Sequence, residues 1–233
     1  MTHENVILPS IKGKASTQAL LACAACTLFS VIAVGIMVYG IYTREGGSRL
    51  LAMLGSTGFV SLALVSGGMR HGFGRLVFIG LCFCWLGDYL GPIQFETGVG
   101  MFCLAHVAFS AGFLVHGISK KHAMRAVIPA TAVTIVVVAW VVSHAPEAWM
   151  LVVAYGLIIG SMVILSAGML PSGRAGRIAF AAAVIFYVSD IFVARGHYVA
   201  PGYVNSLGCY PLYYSACLLF GWSATLATNH EPE

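Results

Sequence analysis

Two aspartates sit where an ionised side chain is expensive. Asp88 and Asp190 each lie inside a long apolar run, whereas Glu4, Glu45, Glu96, Glu147, Glu231 and Glu233 fall in polar breaks or tails. A carboxylate within a bilayer costs roughly 2.5–3.5 kcal/mol even on the mildest scale, so it normally faces a protein interior and has a task. No Lys or Arg lies in mid-run to neutralise either one. Paired carboxylates in a low-dielectric layer can divide acid and base roles, share one proton, or relay protons across a membrane. With His106 they would also make a two-Asp, one-His metal set, although no local His-x-x-x-His spacing accompanies it. The bland alternative is that each polar group is helix-packing glue.

The elements that hold these residues follow from composition. Of 233 residues, 59% are hydrophobic and 9% charged, against about 25% charged in a soluble domain. A spanning helix needs ~20 largely apolar residues. Runs of that kind predict an all-α membrane protein of eight transmembrane helices, at about 18–42, 50–68, 76–93, 98–118, 126–143, 149–170, 178–194 and 204–227. The breaks between them are short, so residues 1–233 read as a single polytopic membrane domain. The first run is too long for a signal-peptide core and lacks an Ala-x-Ala-like cleavage site, so it is expected to stay. Nine basic residues fall at the N-terminus and in the loops after helices 2, 4 and 6, against three in the other loops. The positive-inside rule therefore predicts a multi-pass cell-membrane protein with both termini cytoplasmic. The net charge of +4 is scattered in ones and twos, a topology signal rather than a nucleic-acid footprint. All seven cysteines lie in apolar stretches and read as small hydrophobes with no disulfide framework. Cys23-Ala-Ala-Cys26 has redox-motif spacing without His or acidic neighbours. No cofactor and no metal is implied, and oligomeric state is open.

Depth brings the polar residues together. Asp88 and Asp190 each lie thirteen residues past an arginine, Arg75 and Arg177, that marks the cytoplasmic face. At 1.5 Å per residue both sit ~20 Å above it. Helix 4 runs the other way, and His106, fourteen residues before Lys120, reaches a similar height. Tyr210, Tyr213 and Tyr214 of helix 8 join that layer, where an interfacial aromatic belt is the competing explanation. An echo also runs through the chain. Arg75-x-x-Phe78-x9-Asp88 recurs as Arg177-x-x-Phe180-x9-Asp190, 102 residues later. A parallel four-plus-four duplication would explain it.

The runs Gly87-Asp88-Tyr89-Leu90, Phe102-x-x-Ala105-His106 and Val188-Ser189-Asp190, followed by Tyr213-Tyr214, resemble the YhhN family, from helix 3 onward and in the same order. That family contains the lysoplasmalogenases, eight-helix enzymes that cleave the vinyl-ether bond of lysoplasmalogens. Two departures stand out: Gly55-Ser56-Thr57 replaces a Lys-Pro pair common in helix 2, and Cys217 stands where helix 8 often carries Gln or His. The resemblance implies release of a fatty aldehyde and a glycerophospho-alcohol from a membrane lysophospholipid. Asp88 and Asp190 would divide the acid and base roles, in either order, with His106 orienting a carboxylate or the water. Ser189, Tyr213 and Tyr214 are expected to contact substrate, and Arg195 and His197, just past helix 7, to bind a lipid phosphate or anchor the loop. The same Asp pair would serve a proton-coupled transporter or lipid flippase as a relay.

Overall fold

The computed structural model describes residues 10–227; Glu4, Glu231, Glu233 and the chain ends whose orientation is expected to be cytoplasmic lie outside them. The described residues form no strand. Eight helices follow in order: α1 Ser10–Tyr42, α2 Arg49–Val65, α3 Gly72–Leu90, α4 Phe95–His116, α5 Lys120–His144, α6 Trp149–Ala167, α7 Gly173–Ala194 and α8 Tyr203–Ala227. Six stretches are long and apolar enough to cross a membrane: Thr17–Tyr42, Gly72–Leu90, Phe95–His116, Lys120–His144, Pro146–Ala167 and Gly173–Val199. The apolar α2, at 17 residues, is shorter, and α8 is not among the six. Side chains such as Ile36, Ile128, Ile135, Val136 and Leu157 are exposed on the outer surface, as in a protein whose solvent is lipid. This is an all-α, membrane-type fold.

Local chemistry sets the helix ends where they differ from expectation. The helix α2 stops at Val65, short of 68, because Gly67 adopts a left-handed φ of 75° and Ser66 Oγ accepts the Gly68 N–H at 3.2 Å. A short 3₁₀ turn, Gly68–Arg70, follows. The helix α3 then begins at Gly72, before 76, since His71 Nδ1 accepts the Gly74 N–H at 3.1 Å and caps the first turn. Likewise Ser48 Oγ accepts the Leu51 N–H and caps α2. The first helix starts at Ser10 rather than 18, through a segment with helix-forming Lys12, Ala15 and Gln18. The helix α7 runs on into a π turn, Arg195–Val199.

Neighbouring helices pair as hairpins, with α3–α4 and α7–α8 in the most extensive contact; α8 also packs on α1, α2 and α3, and α4 on α6. Phe59, Phe109, Phe113, Phe186 and Phe220 fill the core, with Phe109 and Phe220 stacked at 4.2 Å. Two glycines permit the closest backbone approaches. A Cβ at Gly74 would lie 2.0 Å from Gly68 O, and one at Gly176 1.8 Å from Met169 O. Only glycine lets α3 and α7 rest this tightly on the turn before them. These two positions are again 102 residues apart.

Candidate active site

A cavity of about 690 Å³ lies among all eight helices, within the range of small-ligand pockets. Its walls come from the C-terminal ends of α1, α3, α5 and α7 and the N-terminal ends of α2, α4, α6 and α8. All eight helices therefore meet at one level, the level at which the sequence put its polar layer. Most of the lining is apolar, including Val137, Val138 and Val141 of α5 and Phe102 of α4. Asp88 and Asp190 both line the cavity.

Each carboxylate is held by two donors from two different helices. Asp88 Oδ2 accepts from Tyr213 Oη of α8 at 2.8 Å and from Ser56 Oγ of α2. Asp190 Oδ2 accepts from Tyr155 Oη of α6 at 2.6 Å and lies 3.2 Å from His106 Nε2 of α4. Among the described residues neither Oδ1 has a hydrogen-bond partner, and no bond joins the two carboxylates. Each aspartate thus commits one oxygen to the scaffold and leaves the other for whatever enters the cavity. Exchanging α1–α4 with α5–α8 carries one set of donor helices onto the other: α2 and α8 for Asp88, α6 and α4 for Asp190.

The two sets differ in chemistry. Hydroxyls alone hold Asp88. At Asp190 the imidazole also lies 3.0 Å from Tyr155 Oη, closing a three-membered cluster. His106 is fully buried, packs edge-on to Phe186, and among the described residues its Nδ1 has no partner. The Nε2–H tautomer therefore avoids an unpaired buried N–H. His106 is not in the cavity wall; it stands behind Asp190, 3.2 Å from its carboxylate. Among the described residues no three His, Cys, Asp or Glu side chains converge as metal ligands would, so Asp88, His106 and Asp190 do not make a metal set.

The other sequence-derived candidates divide. Tyr213 lines the cavity. Tyr214, its neighbour, is buried and donates to Ala52 O at 2.8 Å, tying α8 to α2 outside the cavity wall. Ser189 is buried and donates to Phe186 O at 2.7 Å, one turn back on its own helix. Arg195 Nη1 donates to Asn205 Oδ1 at 2.5 Å, tying the π turn to α8. His197 stacks on Phe95 at 3.6 Å. None of these four side chains faces the cavity. Sequence reasoning missed Ser56 and Tyr155, which hold the carboxylates, and Arg49 in the cavity wall. Ser56 stands within the Gly55-Ser56-Thr57 departure in helix 2, which was its one available signal.

The YhhN family model matches residues 47–224 of the chain. No curated protein and no solved structure matches it. The matched span contains both aspartates, His106 and all of their donors.

Proposed function

This chain belongs to the YhhN family, and from that premise we propose that it is a membrane hydrolase cleaving the vinyl-ether bond of lysoplasmalogens. The observation that carries the reading is the pair of aspartates in one cavity wall, each with one oxygen uncommitted. Vinyl-ether hydrolysis needs an acid at carbon and a base for water, and two such carboxyls supply both. Asp88 is the acid. It gives its proton to the carbon beta to the ether oxygen, and the Ser56 and Tyr213 hydroxyls stabilise the carboxylate left behind. The oxocarbenium ion that forms lies between two carboxyl groups. Asp190, steadied by His106 and Tyr155, takes a proton from water as its oxygen bonds to the cationic carbon. In the hemiacetal the bond to the glycerol oxygen then breaks. Asp190 returns its proton to that oxygen, and Asp88 regains one from the hemiacetal hydroxyl as the aldehyde forms.

The proposal includes a single polytopic domain whose eight helices all cross the cell membrane, with both termini cytoplasmic. The alternating helix ends around the cavity support this, as does the nine-to-three bias of basic residues. A four-plus-four parallel duplication accounts for the echo around Asp88 and Asp190, the paired glycines Gly74 and Gly176, and the exchanged donor helices. Reporter fusions in the α4–α5 loop and at the C-terminus should both read cytoplasmic; an external signal at either would break the eight-crossing arrangement.

The decisive experiment incubates purified protein with vinyl-ether and ester lysolipids and follows products by mass spectrometry. A long-chain aldehyde from the vinyl-ether lipid, without added metal, is expected. No aldehyde from any vinyl-ether lipid, with the protein folded, would instead favour the proton-coupled transporter or flippase, in which the two carboxyls pass protons.

A further inference from the structure

Two arginines stand in the cavity wall or next to it in the chain, and they behave differently. Arg195 is engaged with Asn205 and turned out of the wall. Arg49, at the first turn of α2, lines the cavity with its neighbours Gly47, Ser48 and Ala52, and among the described residues no other Lys or Arg shares that wall. Arg49 Nη2 donates to Tyr89 O at 2.8 Å, and its guanidinium lies 4.8 Å from the centre of the Tyr89 ring. Tyr89 is the residue after Asp88, so the cation is fixed one residue from a reacting carboxyl. A guanidinium has five N–H donors in a rigid fork. This one spends a donor on a carbonyl and, among the described residues, pairs with no carboxylate. The start of a 17-residue helix adds partial positive charge on the same side.

We propose that Arg49 is the phosphate-binding residue of this cavity. Its ligand is a single-chain amphiphile whose phosphate rests on Arg49 while the linkage between glycerol and chain reaches the carboxyl groups. Guanidinium suits this role because its parallel N–H groups match two phosphate oxygens at once. For the identity of that linkage the inference rests on the hydrolase reading; for the phosphate it does not.

A binding measurement on intact protein in lipid nanodiscs separates the two. The probes are a saturated 1-O-alkyl lysophosphoethanolamine, which has no vinyl bond to cleave, the matching alkylglycerol without phosphate, and inorganic phosphate. Arg49→Gln removes the charge but keeps a donor for Tyr89 O; Arg49→Lys keeps the charge without the fork. The phospholipid should bind Arg49→Gln about tenfold or more weaker than wild type, and Arg49→Lys in between. Alkylglycerol affinity should be the same in all three, and inorganic phosphate should not displace the phospholipid. Unchanged phospholipid binding in Arg49→Gln, or an equal loss for both lipids, would overturn the assignment. Displacement by inorganic phosphate alone would make the site one for free phosphate and overturn the amphiphile. Absence of aldehyde release in the catalytic assay would remove the hydrolase reading and leave this result standing.

Discussion

Asp88 and Asp190 occupy equivalent places in the two halves of the chain, yet their surroundings have parted. Each lies near the C-terminal end of a helix whose first turn carries a glycine, Gly74 or Gly176, pressed against the preceding turn, and each is gripped through one oxygen by two neighbouring helices. At Asp88 the grip is Ser56 and Tyr213; at Asp190 it is Tyr155 and His106. The proposed repeat would supply two carboxyls to one cavity, and the change of a hydroxyl for an imidazole makes them unlike. A symmetric pair would have no reason to assign acid to one residue and base to the other.

The strongest way to break that comparison is to remove either carboxyl. Asp88→Asn and Asp190→Asn keep the side-chain shape but can neither deliver nor accept the proton. General acid–base steps are typically worth roughly 10²–10⁴-fold each, so aldehyde release should fall at least that far in both. The double variant should be little worse than either single one, because groups acting as a unit are not additive. Near-full activity in one folded Asn variant would leave a single working carboxyl and end the paired mechanism.

Removing the donors sharpens the comparison, with a smaller effect. Hydrogen bonds to a charged group contribute about 1.5–3 kcal/mol, so Tyr155→Phe and Tyr213→Phe should each lower kcat by about 10–100-fold. His106→Gln should cost less than Asp190→Asn, since the histidine touches Asp190 and not the cavity. Its effect should appear in kcat with little change in KM. If His106→Gln were as damaging as Asp190→Asn in a folded protein, the imidazole would itself have to handle the proton, and the two half-sites would differ more than proposed.

How far the sequence revealed these half-sites depended on the cost of each residue type in lipid. The eight helices were legible because apolar runs and polar breaks alternate so sharply. Asp88 and Asp190 were legible because an unpaired carboxylate in such a run is rare, and His106 because its depth could be counted from Lys120. Ser56 and Tyr155 were not, because hydroxyls are common in membrane helices and cost little there. Arg49 had the look of a topology-setting loop charge; only the cavity distinguishes it from Arg195. At the end of α7 the π turn engages Arg195 with Asn205 and stacks His197 on Phe95, contacts that no spacing along the chain foretells.

The smallest expected effect concerns the residues beside the proposed catalytic ones, and it tests whether cavity lining or mere adjacency decides function. Ser189 precedes Asp190 and Tyr214 follows Tyr213, yet both side chains turn into helix contacts. Ser189 donates back to Phe186 O within α7, and Tyr214 donates across to Ala52 O of α2. Ser189→Ala and Tyr214→Phe each remove one hydroxyl; that of Tyr214 also lies 3.3 Å from Ser56 Oγ, which keeps its own bond to Asp88 without it. A buried acceptor without its donor costs about 1–3 kcal/mol; Phe186 O and Ala52 O also accept bonds along their own helices, so the loss should fall at the low end. Thermal unfolding should therefore drop by a few degrees at most, more for Tyr214→Phe because its bond joins two helices. Both kcat and KM should stay within about twofold of wild type, well inside the effect of losing a donor to a charged group. A tenfold rise in KM for Ser189→Ala, with unfolding unchanged, would mean that substrate binding reaches past the cavity wall into α7. The division drawn between Tyr213 and Tyr214 would then fail as well, since it rests on the same criterion.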